Sequence, residues 1–274
     1  MKLSVWSSYY CDLSPEDALR ALKAHGYDCC EISFEHACTL MERGDLAAVG
    51  AAFSQFAAEL GMDISQGHLS YEAKLCKPEG REFLKRQIDL FLAMGVKYAV
   101  LHCDSLAWRG EELSVEQKIA ENCAAIEELL NYIKDSDMVI CLENLISTSF
   151  ANSVEGLMYF IKRFQSKNLG ICLDTGHLNL KDKDQVRFIR EAGKHVKALH
   201  LADNDGLGID QHLMPYGRGN VDFVSVLREM KALGYEGMYN LEIPGERYAP
   251  FEILGYKLDY IKRMFDYLDR ITEA

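Results

Sequence analysis

Six residues of metal-ligating type each close an apolar run: His68, His102, Glu143, Asp174, His200 and Glu242. A carboxylate or imidazole at the end of a buried-looking run costs free energy unless something pairs with it. The clearest case is Ile171, Cys172, Leu173, which breaks into Asp174 and, three residues later, His177. One histidine in such a place is more often a hydrogen-bonded core residue than a ligand, but six in register are not explained that way. Glu143, Asp174, His200 and Glu242 are the demanding subset, because three converging carboxylates repel one another. Either one stays protonated or a cation sits among them. Three oxygen ligands and one imidazole suit Mn²⁺, Mg²⁺, Co²⁺, Fe²⁺ or Zn²⁺ without selecting one. The set contains no thiolate, which points to a catalytic centre and away from a structural zinc.

Convergence requires a scaffold. Strand-like runs are expected at 2–6, 27–33, 63–68, 97–103, 138–143, 169–174, 195–201 and 238–243. Helical patterns lie between them. One starts at the Ser14 cap with Pro15 behind it, presents Leu19 and Leu22, and stops at Gly26. Another spaces Leu84, Ile88 and Leu92 on one face and ends at Gly95, and a third is capped by Ser114. Eight β-then-α units imply a parallel sheet with right-handed crossovers. The expected fold is a single (β/α)8 TIM barrel over residues 1–274, with the strand ends meeting on the face where this fold collects its chemistry. An open doubly wound sheet would want a Gly-rich phosphate turn after the first strand, and residues 6–17 have none.

Composition narrows the partners. The 274 residues are 49% hydrophobic and 26% charged, which suits a soluble globular chain with a sizeable core. A net charge of −12 leans against a nucleic-acid partner. No run of 18 apolar residues exists and the opening MKLSVWS has no signal-peptide pattern, so neither a membrane span nor secretion is expected. The cysteines number nine, an odd count without a C-x-x-C pair. Five of them (29, 30, 103, 141 and 172) lie in strand-like runs, as small buried hydrophobes of a reducing cytoplasm would.

In combination, CLEN, CLDTGH, HLADNDG, DQHLMPYGRGN and NLEIPGE resemble the xylose-isomerase-like barrel superfamily, and more narrowly its sugar (phosphate) isomerase/epimerase branch. The resemblance implies one divalent metal held by Glu143, Asp174, His200 and Glu242, a sugar or sugar-phosphate substrate contacted by His177, and commonly a homo-oligomer. Moving a hydrogen from carbon beside a carbonyl needs a stabilised enediolate and a proton acceptor and donor, roles assigned to Glu143 and Glu242. His68 and His102, which the metal set leaves out, are assigned to the substrate. Trp108 is expected to cover the apolar face of a sugar or else to pack. In the ketohexose epimerases an arginine stands six residues past the strand-7 histidine; here that position is Gly206. Arg218 is a partial replacement, and Gly217 and Gly219 around it either expose backbone N–H groups to an anion or make a tight turn.

Two rivals share the scaffold. Apurinic-site endonucleases of the superfamily use nine ligands around three zincs, and His68, His102, Glu143, Asp174, His177, His200, Asp210, His212 and Glu242 supply that order. His177, Asp210 and His212 would then hold an additional metal. Against this, the segments 33–45 and 70–80 lack the Arg-rich, aromatic character that a DNA groove requires. A keto-inositol dehydratase-type lyase would use the same metal and then expel a hydroxyl. His25, His36 and His195 receive no chemical role.

Overall fold

Apolar runs of four to six residues, too short for helices and broken by turn residues, become the strands of a computed structural model that describes residues 1–245 and 248–273. In chain order the elements are β1 (Lys2–Trp6), α1 (Pro15–Ala24), β2 (Cys29–Ile32), α2 (Phe34–Met41), α3 (Leu46–Leu60), β3 (Asp63–His68), α4 (Pro78–Met94), β4 (Tyr98–Leu101) and α5 (Val115–Ile133). They continue with β5 (Val139–Glu143), α6 (Val154–Phe164), β6 (Leu169–Asp174), α7 (Thr175–Asn179), α8 (Gln185–Ala192), β7 (Val196–Leu201), α9 (Phe223–Ala232), β8 (Met238–Leu241) and α10 (Phe251–Ile271). The strands close in sequence order, every neighbour is parallel, and β8 pairs back onto β1. This is the expected (β/α)8 barrel.

Local chemistry sets the element ends. Ser14, Ser33, Asp45, Ser114, Ser153, Asp184 and Asp222 each accept a backbone N–H from the first turn of their helix. Ser114 and Gln117 form a reciprocal capping box. β4 and β8 stop before their expected ends, so His102 and Glu242 stand one residue beyond them. In α4, Leu92 is 38% exposed, and Leu84, Ile88, Phe91 and Met94 take the core side. Steps of four residues advance 400° and drift off a helix face, whereas alternating threes and fours stay on it.

The barrel interior follows the period of two. Val100, Cys141, Cys172 and Ala198 form a small apolar layer inside the barrel. Two residues further along each chain segment stand His102, Glu143, Asp174 and His200. Alternation puts both sets on the inner face, one above the other. The expected strand cysteines 29, 30, 103, 141 and 172 are buried free thiols. No helix among the described residues is long and apolar enough to cross a membrane.

Candidate metal centre

Four neighbouring segments, β5 to β8 and the residue after it, end in groups of ligating type within two residues of register. Cys172 pairs with Glu143, Asp174 with His200, and His200 with Asn240, two residues before Glu242. Glu143, Asp174 and His200 are fully buried and Glu242 is 6% exposed. Each offers a ligand atom, and the four atoms lie within 4.8 Å of one another. His200 Nδ1 is 3.4 Å from Glu143 Oε1 and 3.2 Å from Glu242 Oε2. The decisive detail is which atoms lack hydrogen bonds: Glu143 Oε1, Asp174 Oδ2, His200 Nδ1 and Glu242 Oε2, one from each residue. Buried polar atoms are nearly always paired, so four converging orphans fit a divalent cation.

The atoms on the far side of three of these groups are occupied. Asp174 Oδ1 caps α7 by accepting the His177 N–H at 2.6 Å. His102 Nε2 lies 2.8 Å from Glu143 Oε2, and His68 Nε2 lies 3.5 Å from the same atom. His200 Nε2 lies 3.0 Å from Glu31 Oε2. Aligned this way, each group turns one donor atom inward.

Without a cation the cluster balances its charge by protonation. Burial, reinforced by Glu143 and Glu242 against His177, pushes the Asp174 carboxyl up to about 7. Burial also acts to raise Glu143, but the imidazoles of His102 and His200 outweigh it and hold that carboxyl well below its usual range. Glu242 falls to about 2, because His200 overcomes its burial. Burial thus prevails at Asp174, whereas neighbouring imidazoles prevail at Glu143 and Glu242.

A second group stands beside the first. His177 Nδ1 donates to the Asn144 carbonyl at 2.9 Å, and His212 Nδ1 donates to the Glu242 carbonyl at 2.8 Å. Those bonds aim both Nε2 atoms at Asp210 Oδ2, 2.9 and 2.7 Å away. Burial would lift Asp210, yet His177 and His212 hold it far below the usual carboxylate range. His212 is pushed up to about 10, its hydrogen bond to Asp210 overcoming burial. His177, Asp210 and His212 thus form a compact His–Asp–His fork with metal-ligand geometry.

Other residues singled out from the sequence lie around these groups. His68 is buried, with Nδ1 donating to the Leu69 carbonyl at 2.7 Å and Nε2 3.5 Å from Glu143 Oε2. Trp108 donates its indole N–H to Asp104, with Lys77 4.5 Å and Arg109 5.4 Å from its ring. Two cations thus lie over the indole of Trp108. The aromatic bordering the cluster is Tyr71, 47% exposed, stacked on His102 at 5.6 Å with an 18° interplanar angle. Arg218 is exposed and makes no hydrogen bond or ion pair among the described residues. The turn around it wraps an internal anion: the backbone N–H groups of Asn204 and Val221 donate to Asp203 Oδ1, each at 3.0 Å. A Cβ on Gly219 would lie 2.0 Å from the Asp203 carboxyl carbon. Gly217 itself donates its N–H to the Met214 carbonyl at 3.2 Å, which is a tight turn, and the carboxylate gathered beside it is this chain's own Asp203.

Sequence reasoning passed over Tyr71 and Glu31. The second left a readable signal, a lone charge inside the run Cys29–Ile32, where a strand covered on both faces should be apolar.

A closed eight-stranded parallel barrel with buried carboxylates and imidazoles gathered at the C-terminal strand ends defines the class as a TIM barrel with its polar cluster on the face where this fold collects its chemistry. The chain belongs to the xylose isomerase-like TIM barrel family, whose match spans residues 19–264. It is 26% identical over 182 residues to the uncharacterized protein y4fM of Sinorhizobium fredii, covering 66% of this chain and 58% of that protein's length. It is 25% identical over 247 residues to an L-ribulose 3-epimerase of Methylomonas sp., covering 87% of this chain and 81% of that one. Among solved structures, D-psicose 3-epimerase from Clostridium cellulolyticum H10 superposes with a TM-score of 0.81 at 17% identity, covering 98% and 99% of the two chains.

Proposed function

We propose that this chain is a divalent-metal-dependent isomerase or epimerase of a sugar or sugar phosphate that moves a proton through an enediolate. The observation that carries this is the set of four inward, unpartnered ligand atoms of Glu143, Asp174, His200 and Glu242. When bound, a divalent cation supplies electrostatic stabilisation of the negative charge that builds on the substrate's oxygens. The chain's own groups handle the proton. Glu143 and Glu242 rise from strands on different sides of the barrel mouth, so one takes a proton from one face of a carbon centre and the other returns it from the opposite face. His102 and His200 favour the ionised form of Glu143. His177 orients a substrate hydroxyl from the start of α7, and Tyr71 offers its ring to the apolar face of the sugar. The similarity to an L-ribulose 3-epimerase over 87% of the chain makes free ketoses the first substrates to try, with inversion beside the carbonyl.

The test is metal content per chain, followed by its loss in Glu143→Gln. About one divalent ion per chain, lost in the variant together with ketose epimerisation, supports the proposal. No metal after reconstitution sinks it.

The His177–Asp210–His212 fork favours a second reading, an apurinic-site nuclease with additional zinc at those three residues. About three zincs per chain, with cleavage of an abasic-site duplex and no turnover of ketoses, would put that reading first. The net charge of −12 weighs against it, because a duplex binder gains most of its affinity from phosphate neutralisation.

A further inference from the structure

Glu31 is fully buried inside the barrel on β2, remote in sequence from every ligand. Its Oε2 meets His200 Nε2 at 3.0 Å and accepts the Gln66 amide N–H at 2.5 Å. Its Oε1 has no hydrogen-bond partner. Among the described residues no lysine or arginine pairs with it. As packing, this choice is a poor one: an apolar side chain of that volume avoids the cost of burying a charge. The arrangement gains a purpose from the other side of the imidazole, where Nδ1 faces Glu143 Oε1 and Glu242 Oε2 without a hydrogen bond. A carboxylate behind a ligating histidine fixes the tautomer, locks the ring and strengthens the inward nitrogen as a donor.

We infer that Glu31 is a positioning residue for the metal centre: by accepting the Nε2 proton of His200, it turns Nδ1 toward the cation and sets the affinity of the site. This rests on the metal-dependent reading above. Gln66 completes the device. Its side chain reaches Glu31 from β3, the strand paired with β2 at that height, and keeps the carboxylate from swinging out of line. Ser4 and Asn240, joined by a 2.9 Å hydrogen bond, continue the polar floor on β1 and β8. The bonded chain that backs the centre is Gln66–Glu31–His200, from β3, β2 and β7.

Titration of the metal-free protein with Mn²⁺ and with Co²⁺, in wild type and in Glu31→Gln, tests the inference. Calorimetry gives the affinity, and thermal melts of the metal-free proteins give the stability. Glutamine keeps the shape and an acceptor oxygen and removes the charge. The expected result is an affinity about 10–100-fold weaker, the range for removing such an outer partner, with metal-free stability unchanged or raised. Glu31→Asp, which keeps the charge but retracts the oxygens from Nε2, should weaken binding as well, and it serves if Glu31→Gln does not fold. Equal affinity in wild type and variants would overturn the inference and leave the metal reading standing. A parallel fall in metal-free stability would assign Glu31 to packing and overturn it too. Wild type that binds neither ion would remove both.

Discussion

Asp174 shows how much one side chain carries. Oδ1 caps α7 and Oδ2 points unpartnered into the ligand cluster. Asp174→Asn should separate the two jobs, because an asparagine oxygen caps nearly as well as aspartate but brings no charge to a cation. The expected outcome is a metal-free melting temperature equal to or above that of wild type, with the stabilisation given by saturating Mn²⁺ largely abolished. Thermal melts with and without the ion check this, and a large metal-free destabilisation would mean that the cap dominates. His36 offers a contrasting case outside the site. It is buried on α2 with Nε2 donating to the Leu13 carbonyl at 3.2 Å. Burial lowers its pKa below 6.5, with Arg43 acting in the same direction and Glu35, Glu16 and the Leu13 carbonyl opposing. A depressed histidine means that the unfolded chain holds more protons just below pH 6.5, so this contribution to stability is complete above that pH and declines as the pH falls. Urea midpoints at pH 7.5 and 5.5 should differ more in wild type than in His36→Gln. A larger difference in the variant would refute the assignment.

At the scale of elements, the connection from β7 to α9 is the piece with the most at stake, since it carries Asp210 and His212. Its shape depends on Asp203, whose N–H and C=O bridge to Leu213 and whose side chain gathers the turn before α9. Gly219 packs directly on that carboxyl. Gly219→Ala should therefore cost about 1–3 kcal/mol, the range for overpacking a tight site, and should detach the D-x-H segment from His177. Urea unfolding measures the cost. Loss of zinc bound beyond the first equivalent, where wild type binds any, measures the detachment. Caps and stops were readable here because they are local: Ser14 and Ser114 act on amides three residues away. The extra helices α2 and α7 were not anticipated, because at eight and five residues each is shorter than the window over which an apolar stripe becomes visible.

For the whole molecule, closure is the governing fact. The seam between β1 and β8 joins the two ends of the barrel, and α10 then packs over the outside. Leu258, Ile261 and Phe265 are fully buried and Leu268 nearly so, and the Tyr27 hydroxyl donates to the Leu258 carbonyl at 3.0 Å. At roughly 2 kcal/mol each, these four side chains contribute about 8 kcal/mol, against a typical total stability of about 5–15 kcal/mol. A chain ending at Pro250 should fail to unfold cooperatively. Circular dichroism melts of the truncated and full chains test this, and a sharp transition in the shorter one would show that the barrel closes unaided.

The amino-acid order by itself determined the eight strands, the barrel they imply and the six ligand types at their ends. These follow from short-range rules: a period of two along a strand, a cap three residues from its amide, and a charge that must not be buried alone. It did not determine which ring nitrogen of His200 turns inward, which histidines lie against Glu143, or which carboxylate packs against Gly219. Glu31 and His200 are 169 residues apart, and His177 meets a loop more than 30 residues downstream. Such pairings exist only once β1 has found β8 and the inner faces of all the strands converge, because contacts across a barrel depend on register and closure, which no local pattern encodes.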